Sequence, residues 1–131
     1  MISLFFRRSM KNIGLVAHDD MKDDLVKFVK ENESTFNKMK IYSTGTTGAR
    51  LLESMPSLDI TPLASGPIGG DLQIGSLIVE DKLDTLIFLW DPMSPHPHDV
   101  DVKALLRIAV IKNIRLACNL ATAKKVIQPE G

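Results

Sequence analysis

Apolar residues in this chain form short unbroken runs, separated by longer stretches in which they recur every three or four positions. Ile13-Gly14-Leu15-Val16-Ala17 is the first run. Continuous apolar runs of this length suit strands buried on both faces of a parallel sheet. After it Met21, Leu25, Phe28 and Val29 recur at helical spacing, while Lys22, Lys27 and Lys30 fall elsewhere, which predicts an amphipathic helix. The alternation then repeats. Ile41-Tyr42-Ser43 predicts a strand, Thr44 to Gly48 a turn, and Leu51, Leu52 and Met55 a short helical face. Ile60 to Ala64 reads as a third strand, followed by a helix carrying Ile74, Leu77 and Ile78. Thr85 to Trp90 is the clearest strand, with β-branched and aromatic members. Val102, Leu105, Leu106, Ala109 and Val110 give the strongest helical stripe. Arg115 to Cys118 predicts a fifth strand and Ala121 to Ile127 a last helix.

Five strands alternating with helices predict an α/β fold: a single three-layer domain with a five-stranded, mostly parallel sheet and helices on both faces. The 131 residues suffice for one such domain, read as spanning 1–131 with 1–11 as an N-terminal lead. Sixteen basic residues balance sixteen acidic ones. No basic excess points to nucleic acid, and zero net charge favours self-association. The one cysteine, Cys118, has no internal disulfide partner and no metal pattern around it; a small buried hydrophobe is expected. Ile2 to Phe6 is too short an apolar run for a signal peptide, and its charges follow it. No segment is long and apolar enough to span a bilayer. The expected location is the cytoplasm.

Polar, glycine-bearing segments follow the strands, and in parallel sheets ligands bind outside the carboxyl ends of the strands. Ser65-Gly66-Pro67-Ile68-Gly69-Gly70-Asp71 packs three glycines and a proline into a segment that ends on a carboxylate, a composition suited to backbone passing close to a ligand. Asp71 there reads either as a general base or as the cap of the next helix. Thr44-Gly45-Thr46-Thr47-Gly48 reads either as an anion nest with three hydroxyl donors at a helix N-terminus or as an ordinary cap. It lacks the Walker lysine pattern, so a nucleoside triphosphate is not implied. His18 and Lys22 lie about one helical turn apart and can face one anion, and Asp19 or Asp20 can cap the helix that follows. In Asp91 to Asp101 three prolines stiffen the chain around His98, whose neutral imidazole can hydrogen-bond a developing enolate. Asp99 is expected to cap the following helix, with Asp101 in its first turn. His96 and His98 match no common metal site in number or spacing.

These segments together resemble the methylglyoxal synthase family. The matching words are Val16-Ala17-His18-Asp19 with Lys22, then Thr44 to Gly48, then Ser65-Gly66-Pro67 with Gly69-Gly70-Asp71 and Gln73-Ile74-Gly75. The longest runs from Asp91-Pro92 through Pro97-His98-Asp99 to Asp101-Val102-Lys103-Ala104-Leu105-Leu106-Arg107. The resemblance implies a cytoplasmic lyase converting dihydroxyacetone phosphate to methylglyoxal and inorganic phosphate. By position, Asp71 would be the base and His98 the electrophile, with Asp19 and Asp101 supporting the charge pattern. His18, Lys22, Thr44, Gly45, Thr46, Thr47, Ser65, Gly66 and His98 would hold substrate. The resemblance further implies a homohexamer with no metal or organic cofactor, no nucleic-acid or membrane partner, and phosphate as product and inhibitor.

The sequence departs from the family pattern at three places. Asp20 replaces a histidine often found after the His-Asp pair, and Val100 stands where proline is common. The arginine that reaches phosphate from the C-terminal segment of longer members has no counterpart here, which implies weaker or differently regulated phosphate coupling. Two alternatives share features of this reading. A non-catalytic, effector-binding regulatory module of the same fold would need the anion loops but not Asp71, His98 and Asp101 together. A triose phosphate isomerase would share base and electrophile, but its barrel is far longer.

Overall fold

The computed structural model describes residues 12–94 and 99–128. The lead at 1–11, His96 and His98 lie outside the described residues, so the expectations placed on them are not addressed by the structure. Strand β1 (Asn12–Ala17) leads through a 3₁₀ turn (Asp19–Met21) into α1 (Lys22–Glu31) and the single turn α2 (Glu33–Phe36). Then come β2 (Lys40–Thr44), α3 (Gly45–Ser54), β3 (Ile60–Leu63), α4 (Gly70–Val79) and β4 (Thr85–Leu89). The described chain closes with α5 (Asp99–Ile111), β5 (Arg115–Ala117) and α6 (Leu120–Val126). All strand pairs are parallel, in the order β3-β2-β1-β4-β5.

The apolar runs become strands because both sheet faces are covered. Along β1, Ile13, Leu15 and Ala17 pack with Leu25, Phe28, Val29 and Leu51 from the α1 and α3 layer. Val16 points the other way, toward Ile74 and Ile78 of α4 and Val102 and Leu105 of α5. Each fully buried Leu, Ile or Phe contributes about 1.5–3 kcal/mol by leaving water. Right-handed crossovers fix the layering. Moving outward from β1 to β2 to β3 puts α1 and α3 on one face. Returning past β1 to β4 and on to β5 puts α4 and α5 on the other. The exits of β1 and β4 therefore diverge, which makes their shared carboxyl end the switch point of the sheet.

Two local readings change. Residues 44–48 are not a separate turn: β2 ends at Thr44 and α3 starts at Gly45. The four-residue α2 carries no period long enough to be read from sequence. It exists because Phe36 buries fully and meets Phe28 edge-on, with ring centroids 5.9 Å apart.

Beyond β3 the chain squeezes between two helix starts. A Cβ on Gly45 would lie 2.9 Å from Ser65 Cα, and one on Gly70 would lie 2.0 Å from the Ala64 carbonyl oxygen. Gly45 N donates to Ala64 O at 3.2 Å, and Gly70 N to Ser65 O at 2.9 Å. Gln73 Oε1 accepts from Ala64 N at 2.8 Å. Gly70→Ala is expected to cost about 1–3 kcal/mol, the range for forcing atoms into packed space, read as a lowered urea midpoint. Gly75→Ala is the matched control. Its added methyl would meet only Leu105 Cδ1, at 3.9 Å, and helix propensity favours the change.

Candidate active site

One cleft of about 420 Å³ opens at the carboxyl ends of β1, β2 and β3. From β1 and the turn after it come Val16, Ala17, His18, Asp19 and Lys22. Thr44, Thr46 and Thr47 enter from the β2–α3 junction, and Ser65, Gly66, Pro67 and Asp71 from the segment leading into α4. Gly45 lies against Ser65 in the wall. Three of the four polar segments singled out in the sequence thus meet, although the chain separates them by tens of residues; none of the described residues of Asp91 to Asp101 lines the cleft.

Asp71 is wholly buried in the first turn of α4. It is not the helix cap. Gly69 holds that position, at φ 111° in the left-handed region that favours glycine. The N-terminal end of the α4 dipole favours negative charge at this carboxylate. The first turn of α3 presents the same polarity from the opposite layer of the sheet. Thr44 precedes it in extended conformation and makes no side-chain cap; Gly45 N is taken by Ala64 O, so the N–H groups that follow it in that turn are the place for an anion.

The hydroxyls are only partly uncommitted. Thr47 Oγ1 donates to Ala17 O over 3.5 Å. Thr46 Oγ1 accepts from Lys22 Nζ, and Lys22 also donates to Asp19 Oδ1 at 2.6 Å. Lys22 is largely covered while Asp19 is 94% exposed, so the cation faces the cleft and the carboxylate the solvent. Neither Asp19 nor Asp20 caps α1; Met21 occupies the cap, without a side-chain bond.

His18 is buried, and its ring meets Phe88 edge-on with centroids 5.2 Å apart. Its Nδ1 accepts a hydrogen bond from Asp91 N at 3.0 Å. Only an unprotonated nitrogen can accept, so the neutral ring carries its hydrogen on Nε2. Asp91 was legible as part of a word but not as a neighbour of His18, from which 73 positions separate it. Asp101 sits half-buried in the first turn of α5 and does not line the cleft. The side chain of Asp99 lies outside the described residues. Among the described residues, no group of three or more His, Cys, Asp or Glu side chains is placed to hold a metal ion. None of their helices is long and apolar enough to cross a membrane. Cys118 is half-buried, not fully buried as expected, and burial pushes its thiol up from the ordinary range.

The MGS-like domain family matches residues 24–118. The methylglyoxal synthase of Oleidesulfovibrio alaskensis is 52% identical over 120 residues, covering 92% of this chain and 82% of that protein. That of Rhizobium meliloti is 54% identical over 117 residues, covering 89% and 93%. The chain belongs to the methylglyoxal synthase family. The crystal structure of methylglyoxal synthase from Elizabethkingia anophelis NUHP1 superposes with a TM-score of 0.85 at 43% identity, covering 92% of this chain and 79% of that one. This family member is therefore an enzyme, a lyase of methylglyoxal biosynthesis. Asp20 and Val100, the two substitutions expected from the resemblance to depart from the family pattern, are both exposed.

Nitrogen NMR of labelled protein at neutral pH should show His18 with a pyrrole-type Nε2 and a pyridine-type Nδ1. The reverse assignment would break the link between the ends of β1 and β4.

Proposed function

We propose that the enzyme converts dihydroxyacetone phosphate to methylglyoxal and inorganic phosphate through an ene-diolate. The observation that carries this reading is a fully buried carboxylate, Asp71, in one cleft with the N-terminal turn of α3. A phosphate ester has two needs, a grip on its dianionic end and a base for its carbon end. The cleft contains groups suited to each. Lys22, Thr44, Thr46, Thr47 and the first-turn amides of α3, with Gly45 admitting the close wall, bind the phosphoryl group. His18, Ser65 and Gly66 hold the oxygens of the triose. Asp71 takes a proton from the hydroxymethyl carbon, and the C–H electron pair becomes the ene-diolate double bond. His98 donates to the oxygens that gain charge, and Asp19, paired with Lys22, and Asp101, outside the cleft lining, support the charge pattern from a distance.

Phosphate loss follows from alignment. The hydroxymethyl oxygen passes its proton to the departing phosphate and becomes a new carbonyl, and the π pair shifts toward the ester-bearing carbon. The C–O bond breaks there, with its electrons leaving on phosphate. The enol left behind takes up a proton to become methylglyoxal. That sequence requires the C–O bond to stand perpendicular to the ene-diolate plane, so the anion grip sets an angle as well as an affinity. The relatives are named for catalysis, which a non-catalytic effector module does not account for.

We also infer that copies of the chain associate through the α4 and α5 layer, in the cytoplasm and as the homohexamer expected of the family. The exposed large apolar side chains among the described residues are Ile68, Leu72, Val79, Trp90, Met93, Val100, Val110 and Ile111. All belong to α4, to α5 or to the segments leading into them. Exposed apolar side chains gathered on one layer of the fold suit an interaction face.

Incubation with dihydroxyacetone phosphate should release methylglyoxal and phosphate in equal amounts, and added phosphate should inhibit. Asp71→Asn is expected to lose about 10²–10⁴-fold in turnover while still binding a phosphorylated ene-diolate analogue; near wild-type turnover would remove Asp71 from the base role. Light scattering should find an oligomer that Leu72→Lys with Val110→Lys dissociates, and a monomeric wild type would refute the association.

A further inference from the structure

Arg50 stands one helical turn beyond Thr46 on α3, and residues four apart share a helix face. With Asp19, Lys22 and Thr46 it lines a groove running out of the cleft along the boundary between α1 and α3. Two polar rungs cross that boundary. In the inner rung Lys22 Nζ donates to Thr46 Oγ1, and Asp19 compensates its charge. In the outer rung Arg50 Nη1 lies 2.9 Å from Asp23 Oδ1. The side chains of Arg50 and Asp23 are 47% and 89% exposed. An ion pair that open is screened and holds its partners weakly. A phosphate dianion at the start of α3 offers Arg50 two charges in place of one, and the guanidinium fork matches phosphate oxygens.

We propose that Arg50 binds the phosphoryl end of the substrate, held on Asp23 in the resting enzyme and drawn one turn along α3 when the dianion arrives. This rests on the phosphate-ester reading given above. Lys22 is already compensated by Asp19, so Arg50 supplies the second cation at the mouth. Asp23 then competes with substrate for that cation and tunes affinity from outside the cleft.

The test is steady-state kinetics with dihydroxyacetone phosphate, plus inhibition by inorganic phosphate, for the wild type, Arg50→Gln and Asp23→Asn. Arg50→Gln should raise KM and the phosphate inhibition constant about fivefold, with a larger change in KM than in kcat, as for loss of uniform binding at a partly screened charge. Asp23→Asn should lower both constants. KM of the wild type should climb more steeply with salt than that of Arg50→Gln. Both substitutions break the same ion pair, so a purely structural rung would shift both variants in one direction, and that result overturns the proposal. An active, phosphate-inhibited wild type with an indifferent Arg50→Gln overturns it as well, and leaves the substrate reading intact. A wild type that ignores both triose phosphate and inorganic phosphate overturns the substrate reading, and this inference with it.

Discussion

The site depends on how closely the chain leaving β3 passes between the starts of α3 and α4. Residues 64 and 65 run where a Cβ on Gly45 or Gly70 would collide with backbone. Both carbonyls of that stretch accept from those glycines' own amides, and Ala64 N donates to Gln73. Buried backbone groups must be paired, and here the pairing itself draws two helix N-termini from opposite layers toward one point. The apolar layers supply the energy of the fold. Two missing methyl groups supply the geometry of the cleft.

The layering gives each face its own part. α3, from the layer packed on Ile13, Leu15 and Ile41, brings amides and hydroxyls to the carboxyl end of β2. α4, from the layer packed on Val16 and Phe88, brings a buried carboxylate to the same place. A helix from a single layer would present either hydrogen-bond donors or a carboxylate. Reversal of the strand order after β3 lets one pocket hold both, above the exits where the sheet switches direction.

Most of this fold was legible because parallel strands buried on both faces leave continuous apolar runs, and β1 and β4 show them plainly. α2 was not legible: one turn has no period, and only the tertiary burial of Phe36 holds it. Glycines at positions 45 and 48 mimicked a loop, yet Gly45 opens a helix because its role is clearance from Ser65 and not flexibility. The convergence of Thr44 to Gly48 with Ser65 to Asp71 followed from their shared position at strand ends. The dual reading of Asp71 could not be resolved from composition. Cap and first-turn positions differ by two residues, and the left-handed φ of Gly69 decides between them. The contact of His18 with Asp91 left no local trace, since it depends on two neighbouring strands ending level.

That contact has a chemical outcome. An imidazole whose lone pair already points at an amide hydrogen has nothing left with which to attack a C–H bond. Through its ring nitrogens His18 can only donate to a ligand, locked by a main-chain N–H that no substitution at position 91 except proline removes. On the proposed reading, taking a proton from carbon is thus no task for this ring, a restriction set by the backbone that leaves a neighbouring strand.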